Sequence, residues 1–182
     1  MCGICGELKF KEYSFNEEKL TTLMGSISNR GRDSNGIFRN DDIFLGHHRL
    51  SIIDTSNKSN QPMKVGNYII IFNGIIYNYI DLRNKLIAKG HVFNSSGDTE
   101  VIIKMFIEYG DNCVNHLDGV FSFCIYDTTK KNIFLARDRF GIKPLYYSIN
   151  EKHIVFAIDS QNMERSDSTN GAKRLQRWSE AT

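Results

Sequence analysis

The chain begins Met1-Cys2-Gly3-Ile4-Cys5-Gly6-Glu7-Leu8-Lys9-Phe10, and this stretch governs how the rest is interpreted. Residues 3–10 predict a short strand that starts almost at the terminus. Cys2 is small enough for Met1 to be trimmed, which would leave a thiol and a free α-amine on one residue. An α-amine titrates near pH ~8, so it can accept the thiol proton directly or through a water. Position alone nevertheless favours an incidental cysteine.

The same stretch contains Cys2-Gly-Ile-Cys5, a C-x-x-C spacing that also occurs in redox and zinc proteins. A zinc site would need a second pair of ligands. The remaining cysteines, Cys113 and Cys124, stand singly in a helical and a strand-like stretch, where buried structural thiols are expected. A redox motif needs a helix after it, whereas a strand is predicted here. The spacing therefore ranks below the nucleophile interpretation.

Outward from the N-terminus, the hydrophobic pattern predicts strands, then helices, then strands again. Helical patterns cover 16–28, 79–89 and 99–109, and strand patterns cover 43–53, 68–72, 120–126, 132–136, 145–148 and 153–157. Residues 30–36 predict a polar loop, and Asn73-Gly74 predicts a turn because both residues tolerate positive φ. The order of elements indicates an α+β layered domain and excludes an alternating βαβ fold.

Composition excludes several classes of function. Hydrophobic residues make up 41% and charged residues 24% of the 182 residues, and the net charge is +2, too small to favour nucleic acid or a membrane surface. There is no run of the ~18 apolar residues that a membrane span needs, and no signal peptide is recognisable. We therefore expect a cytoplasmic protein with reduced cysteines. Residues 1–157 form the predicted domain, and 158–182 a polar, poorly ordered tail.

Eight segments, in order and spacing, match one known family. They are Met1–Gly6, Arg30–Gly36, Gly46–Asp54, Gln61–Met63, Phe72–Asn78, Gly97–Glu100, Gly119–Phe123 and Ala136–Tyr147. Together they resemble the N-terminal glutaminase domain of glutamine-hydrolysing asparagine synthetases, a class II amidotransferase of the N-terminal-nucleophile hydrolase superfamily. The resemblance covers about residues 1–157. It implies a four-layer αββα sandwich, in which two antiparallel sheets lie between helical layers.

The resemblance assigns chemistry to the reacting end of the site. Cys2 matches the nucleophile that hydrolyses glutamine to glutamate and ammonia. The side-chain amide of Asn73 and the backbone N–H of Gly74 match the donors that stabilise the oxyanion. A tight turn at the end of a strand would aim both donors inward, although Asn-Gly by itself is usually an ordinary hairpin turn.

The resemblance also assigns residues that hold the substrate. Arg49 matches the arginine that binds the glutamine carboxylate, Ile52 a position that contributes backbone contacts, and Asp98 the carboxylate that receives the ammonium. Without the resemblance, Arg49 and Asp98 would be interpreted as surface charges. His47 and His48 invite a general-base interpretation, but the family mechanism makes structural roles the better prediction.

Two departures from the family pattern bear on function. Ile75 stands where the family usually has a glutamate that helps Asp98 hold the ammonium, and Arg32 stands where a proline is common. The first predicts weakened glutamine affinity and keeps open an alternative function as a regulatory or glutamine-sensing module. The second predicts only a looser loop.

The sequence contains no match to the Ser-Gly-Gly-x-Asp-Ser phosphate loop of the synthetase half. ATP and magnesium are therefore expected only for a partner synthetase domain or subunit. For this chain the expectation is glutamine as ligand, no cofactor or metal, and no nucleic-acid or membrane partner, with a homodimer left open.

Overall fold

The computed structural model describes residues 1–11 and 14–159, and the backbone of 173–174 and 179–181. The strands are β1 Gly3–Lys9, β2 Ser34–Arg39, β3 Ile43–Arg49, β4 Met63–Val65, β5 Tyr68–Ile76, β6 Gly119–Asp127, β7 Asn132–Arg137, β8 Tyr146–Ile149, β9 His153–Ala157, β10 Lys173–Arg174 and β11 Ser179–Ala181. The helices are α1 Glu17–Ser26, α2 Tyr79–Ala88 and α3 Asp98–Tyr109, with short 3₁₀ turns at Asn57–Ser59 and Gly110–His116.

The strands form two antiparallel sheets. The first sheet has the order β10-β8-β9-β1-β3-β2, and the second has the order β11-β7-β6-β5-β4. Helix α1 packs on β1 and β3 of the first sheet, and α3 packs on β4 and β5 of the second. The sheets contact each other through β1, β3 and β5. The predicted α+β class and the four-layer αββα sandwich are confirmed.

Two apolar cores follow from this layering, because each strand alternates its side chains between two faces. The first core lies mainly between the sheets and contains Ile69, Ile71 and Leu135. The second core lies between the second sheet and helices α2 and α3, and it contains Phe72 and Phe123. Successive residues of β5 therefore point alternately into the two cores, which places Asn73 on the side of the first sheet.

The predicted turn at Asn73-Gly74 is wrong. Both residues lie inside β5, where Asn73 pairs with Ser122 and Gly74 with Phe121 of β6. A Cβ at Gly74 would fall on the carbonyl oxygen of Val120 and 2.7 Å from the Cα of Phe121. The glycine is therefore required by the close approach of the next strand and not by a reversal of the chain.

Other boundaries also differ from the sequence-based expectation. Strand β3 ends at Arg49, so the predicted strand over 50–53 is a loop, and the predicted loop over 30–36 already contains the start of β2 at Ser34. Neither β2 nor β4 was predicted as a strand. Strand β4 is three residues long, which is too short for a clear periodic pattern.

Most of the predicted polar tail, 160–172, 175–178 and 182, lies outside the described residues. The described parts add β10 to one edge of the first sheet and β11 to one edge of the second. Ile158 is buried and its backbone N–H donates to the carbonyl oxygen of Ile4 at 3.2 Å. The domain boundary after residue 157 stays a prediction. Within the described residues, no helix is both long and apolar enough to cross a membrane.

Candidate active site

A cavity opens where β1, β3 and β5 come together beside the N-terminus of α3. Its lining contains all six predicted site residues: Cys2, Arg49, Ile52, Asn73, Gly74 and Asp98. Met1, Gln61, Ile75, Thr99 and Lys143 also line it. Six residues that lie as far apart in the sequence as Cys2 and Asp98 are thus brought together at one concave site, which is the usual form of a small-molecule site.

Cys2 lies just before β1, with its thiol facing the loop that follows β3. The backbone N–H of Leu50 donates to Cys2 Sγ at 3.3 Å, and Sγ lies 3.6 Å from the carbonyl oxygen of Leu50. Burial raises the thiol pKa above its ordinary value, while the Leu50 N–H and the positive charges of the N-terminus and Arg49 lower it. Because burial is the larger effect, the thiol carries its proton at neutral pH and needs a base to become a nucleophile.

The C-x-x-C interpretation finds no support in this geometry. Cys5 is fully buried and its Sγ lies 3.8 Å from Met24 Sδ of α1, on the outer side of the first sheet. Cys2 contacts Leu50 at the cavity instead. All four cysteines are free thiols, and the described residues contain no cluster of three or more metal-ligating side chains.

Arg49, the last residue of β3, is buried and holds the loop that follows it. Its Nη1 donates to the carbonyl oxygen of Ser56 at 3.0 Å and to Asn60 Oδ1 at 2.7 Å, and its Nη2 donates to the carbonyl oxygen of Asp54. The planar guanidinium therefore has its orientation fixed by the loop. The same loop carries Leu50 and Ile52 to the cavity, and Ile52 is 61% exposed.

Asp98 is the first residue of α3 and is buried, with its Oδ2 accepting the backbone N–H of Ile76 at 3.1 Å. Burial raises the pKa of this carboxyl to about 6, against the lowering effect of the backbone N–H groups of Ile76, Asp98 and Thr99. A buried carboxylate without a cationic partner in the described residues is a ready acceptor for a positively charged ligand group.

The loop before α3 is held by the buried Glu100. Its carboxylate accepts the backbone N–H groups of Asn94 and Ser95 at 2.7–3.1 Å and the Ser95 hydroxyl at 2.6 Å. Asp98 lies two residues before Glu100, at the start of the helix that these hydrogen bonds connect to the loop. Thr99 accepts a hydrogen bond from Gln61 Nε2 at 3.2 Å, and Gln61 Oε1 accepts the N–H of Phe72 at 2.6 Å.

Asn73 presents a hydrogen-bond donor that no described residue uses. Its side chain is 1% exposed, and its Nδ2 has no hydrogen-bond partner among the described residues. Leaving such a donor buried is costly unless a ligand pairs with it. Because Asn73 lines the cavity with Cys2, this amide is placed to donate to a charge that develops during a reaction there.

His47 lies between the sheets and serves a structural purpose. It is fully buried, and its Nε2 lies 3.2 Å from the carbonyl oxygen of Phe72. Burial lowers its pKa to about 3, so the imidazole is neutral and bridges β3 to β5. His47 does not line the cavity, which agrees with the predicted structural role.

Sequence reasoning missed Lys143 as a site residue. The Lys143-Pro144 pair indicates only a turn, whereas the structure brings the side chain to the cavity, where its Nζ lies 3.0 Å from Met1 Sδ. Gln61 and Thr99 belonged to matched segments, but their hydrogen bond joins positions that the sequence does not relate.

Two facing antiparallel sheets flanked by helices, with Cys2 just before the central strand β1, form an αββα sandwich. The solved structure of a glutamine phosphoribosylpyrophosphate amidotransferase from B. subtilis superposes with a TM-score of 0.72 at 19% identity, covering 96% of this chain and 49% of that one. At this identity the likeness concerns the fold.

The family model of the glutamine amidotransferase domain matches residues 1–177, and the chain belongs to this family. The asparagine synthetase [glutamine-hydrolyzing] 3 of Bacillus subtilis is 37% identical over 164 residues, which is 87% of this chain and 26% of the synthetase. A putative asparagine synthetase [glutamine-hydrolyzing] 2 of Methanocaldococcus jannaschii is 37% identical over 179 residues, 87% of this chain and 34% of that protein. The chain thus spans about a quarter of the length of the first relative and about a third of the length of the second.

Proposed function

We propose that this chain hydrolyses glutamine to glutamate and ammonia, with Cys2 as the nucleophile after removal of Met1. The observation that carries the proposal is the shared cavity of Cys2, Arg49, Asp98 and the unpartnered amide of Asn73. Each of these groups has a counterpart in glutamine. The thiol would attack the side-chain amide, the cation would bind the α-carboxylate and the anion would bind the α-ammonium. The Asn73 amide would donate to the oxygen that becomes negative in the transition state.

Substrate orientation follows from the charges. The Arg49 guanidinium would receive the α-carboxylate, Asp98 would receive the α-ammonium, and the exposed loop residue Ile52 would contribute backbone contacts. Because Arg49 is fixed by three acceptors in its own loop, little side-chain entropy is lost when the carboxylate binds.

The chemistry then proceeds in two steps. The α-amine of Cys2 accepts the thiol proton, and Sγ attacks the side-chain amide carbon of glutamine to form a tetrahedral intermediate whose oxyanion accepts from Asn73 Nδ2 and the Gly74 N–H. The C–N bond breaks, and the α-ammonium returns the proton to the departing ammonia. Water then attacks the thioester, releasing glutamate and restoring the thiol.

By its likeness to the synthetases, the ammonia would pass to an ATP- and magnesium-dependent asparagine-synthetase-type domain or subunit. The hydrolysis itself requires no cofactor or metal. The reducing cytoplasm suits a catalytic thiol and is the compartment that we propose.

The direct test is to incubate the purified protein with glutamine, after intact-mass analysis has established that Met1 is absent. We expect glutamate and ammonia in equal amounts. Binding of glutamine without any glutamate formation would contradict the proposal, and it would favour the glutamine-sensing alternative that Ile75 raises.

The pH dependence of substrate binding gives a second prediction. Asp98 has a pKa raised to about 6, so its carboxyl is neutral below that pH and ionised above it. The neutral form cannot pair with an ammonium, and we expect KM for glutamine to rise as the pH falls through about 6. Asp98→Asn should raise KM at neutral pH and remove this dependence. A wild-type KM that stays constant from pH 5 to 8 would contradict the role of Asp98.

Restoring the family glutamate gives a third prediction. Ile75 lines the cavity on the strand that carries Asn73, and Ile75→Glu would add a second carboxylate near the ammonium. A charge-assisted hydrogen bond is worth about 1.5–3 kcal/mol, so we expect KM for glutamine to fall roughly 10-fold or more with kcat little changed. Ile87→Glu, on an exposed position of α2, is the matched control. An unchanged KM in Ile75→Glu would rule out this account of the departure.

A further inference from the structure

The ammonium of Lys143 lies at the same cavity as Cys2 and beside the N-terminal residue. Its Nζ is 3.0 Å from Met1 Sδ, and both residues line the cavity. The sulfur of Met1 is only a few covalent bonds from the backbone nitrogen of Cys2. This places the lysine charge within roughly 9 Å of that nitrogen, given standard bond lengths.

The backbone of Lys143 is fixed by the buried Asp138, at the end of β7. The Asp138 carboxylate accepts the N–H of Ile142 at 2.8 Å, of Lys143 at 2.9 Å and of Phe121 at 3.3 Å. Phe121 is the residue opposite Gly74 in the sheet. The backbone of Lys143 is therefore tied to β6, the strand that pairs with the one carrying Asn73 and Gly74.

The charged groups around Cys2 come from four parts of the chain. Arg49 at the end of β3, Asp54 in the following loop, Asp98 at the start of α3 and Lys143 all line the cavity. Arg49 already has three acceptors in its own loop. Asp54 accepts two backbone N–H groups and the hydroxyl of Ser59.

Lys143 differs from these groups, because its Nζ contacts the thioether of Met1, which departs when Met1 is removed. Once Met1 is removed, Cys2 carries a new α-amine within roughly 9 Å of the Lys143 ammonium.

We propose that Lys143 is a positioning residue whose ammonium faces the α-amine of processed Cys2 and keeps that amine in its neutral, proton-accepting form. The inference rests on the proposed glutaminase function, in which this amine is the base. A fixed positive charge disfavours a second positive charge nearby. At this separation in a partly solvated cavity, we expect an effect of about half to one pH unit on the protonation midpoint.

The test is the pH profile of kcat at saturating glutamine, whose acidic limb reports the base in the enzyme–substrate complex and is separate from the effect of Asp98 on KM. In Lys143→Met we expect the limb to move up by about half to one pH unit, and Lys143→Arg should leave it in place. Lys130→Met, at an exposed turn at the far end of β6, is the matched control and should match the wild type. A limb that does not move in Lys143→Met overturns the proposal, including the case in which only KM rises and Lys143 binds the carboxylate.

A second measurement does not depend on turnover. In Met1-free Cys2→Ala protein, the rate at which an amine-acylating reagent modifies the N-terminus is followed against pH by mass spectrometry. Adding Lys143→Met, or Lys143→Gln if the methionine variant does not fold, should raise the midpoint by the same amount. An unchanged midpoint overturns the role of Lys143. If the wild-type protein makes no glutamate, the proposed glutaminase function is wrong. The titration of the N-terminal amine still tests whether Lys143 lowers its protonation midpoint.

Discussion

Cys2→Ala is expected to reduce ammonia release from glutamine by on the order of 10⁴-fold or more, the scale on which enzymes lose rate without their nucleophile. Alanine is also small enough for Met1 to be trimmed, so the α-amine remains and only the thiol is lost. The loop that carries Leu50 is held by Arg49, and its structure does not depend on the sulfur. The variant should therefore still bind glutamine.

Three measurements together decide this prediction: coupled detection of glutamate, calorimetric titration with glutamine and intact mass. Cys5→Ala is the matched cysteine control, because Cys5 faces Met24 on the outer side of the first sheet and should retain most of the wild-type kcat. Ammonia release that persists in Cys2→Ala would rule out the mechanism. Loss in Cys5→Ala equal to that in Cys2→Ala, with folding intact, would also contradict the assignment of the nucleophile.

The layered fold could be predicted from the sequence because its signals are local and periodic. The helical patterns at 79–89 and 99–109 correspond to α2 and α3, and the strand patterns after residue 119 correspond to β6 through β9. Each of these segments buries one face against a neighbouring layer, which is the property that periodicity records. The predicted strand over 50–53 is wrong because these residues form a loop whose apolar side chains line the cavity.

The Asn73-Gly74 turn failed for a different reason. Turn propensity is a property of two residues, whereas β5 and β6 pair over nine residues each, and the long ladder determines the local conformation. The chemistry of these two positions was assigned by the family resemblance. The turn that was expected to aim both donors inward is replaced by a strand, which presents alternate side chains to one face.

Burial of the charged site residues could not be read from residue types. Arg49 and Asp98 are ordinary surface residues by composition, and only the family resemblance marked them. The structure supplies the reason: the guanidinium satisfies carbonyl oxygens of the loop after β3, and the carboxylate accepts the N–H of Ile76. Lys143 was missed because its approach to Met1 joins positions 142 residues apart.

The last prediction concerns Asn73, whose substitution by alanine should lower kcat by about 10² to 10³-fold with little change in KM. Removal of one oxyanion donor has an effect of this size in other hydrolases, about 2.7–4 kcal/mol. The donor is used only when the carbonyl oxygen becomes an anion, so ground-state binding does not depend on it. In the resting protein Asn73 Nδ2 has no partner among the described residues, so its removal should not lower the free energy of unfolding.

This combination separates a catalytic amide from a structural one. A structural asparagine would show a reduced Tm on substitution, whereas we expect Asn73→Ala to keep or raise Tm because a buried unpaired donor is lost. Asn115→Ala, at a surface position, is the matched control for both readouts. If Asn73→Ala retained wild-type kcat, the oxyanion would have to be stabilised elsewhere. If its KM rose in proportion to the loss of kcat/KM while kcat held, the amide would be binding the ground state, and the assignment of Asn73 to the transition state would be wrong.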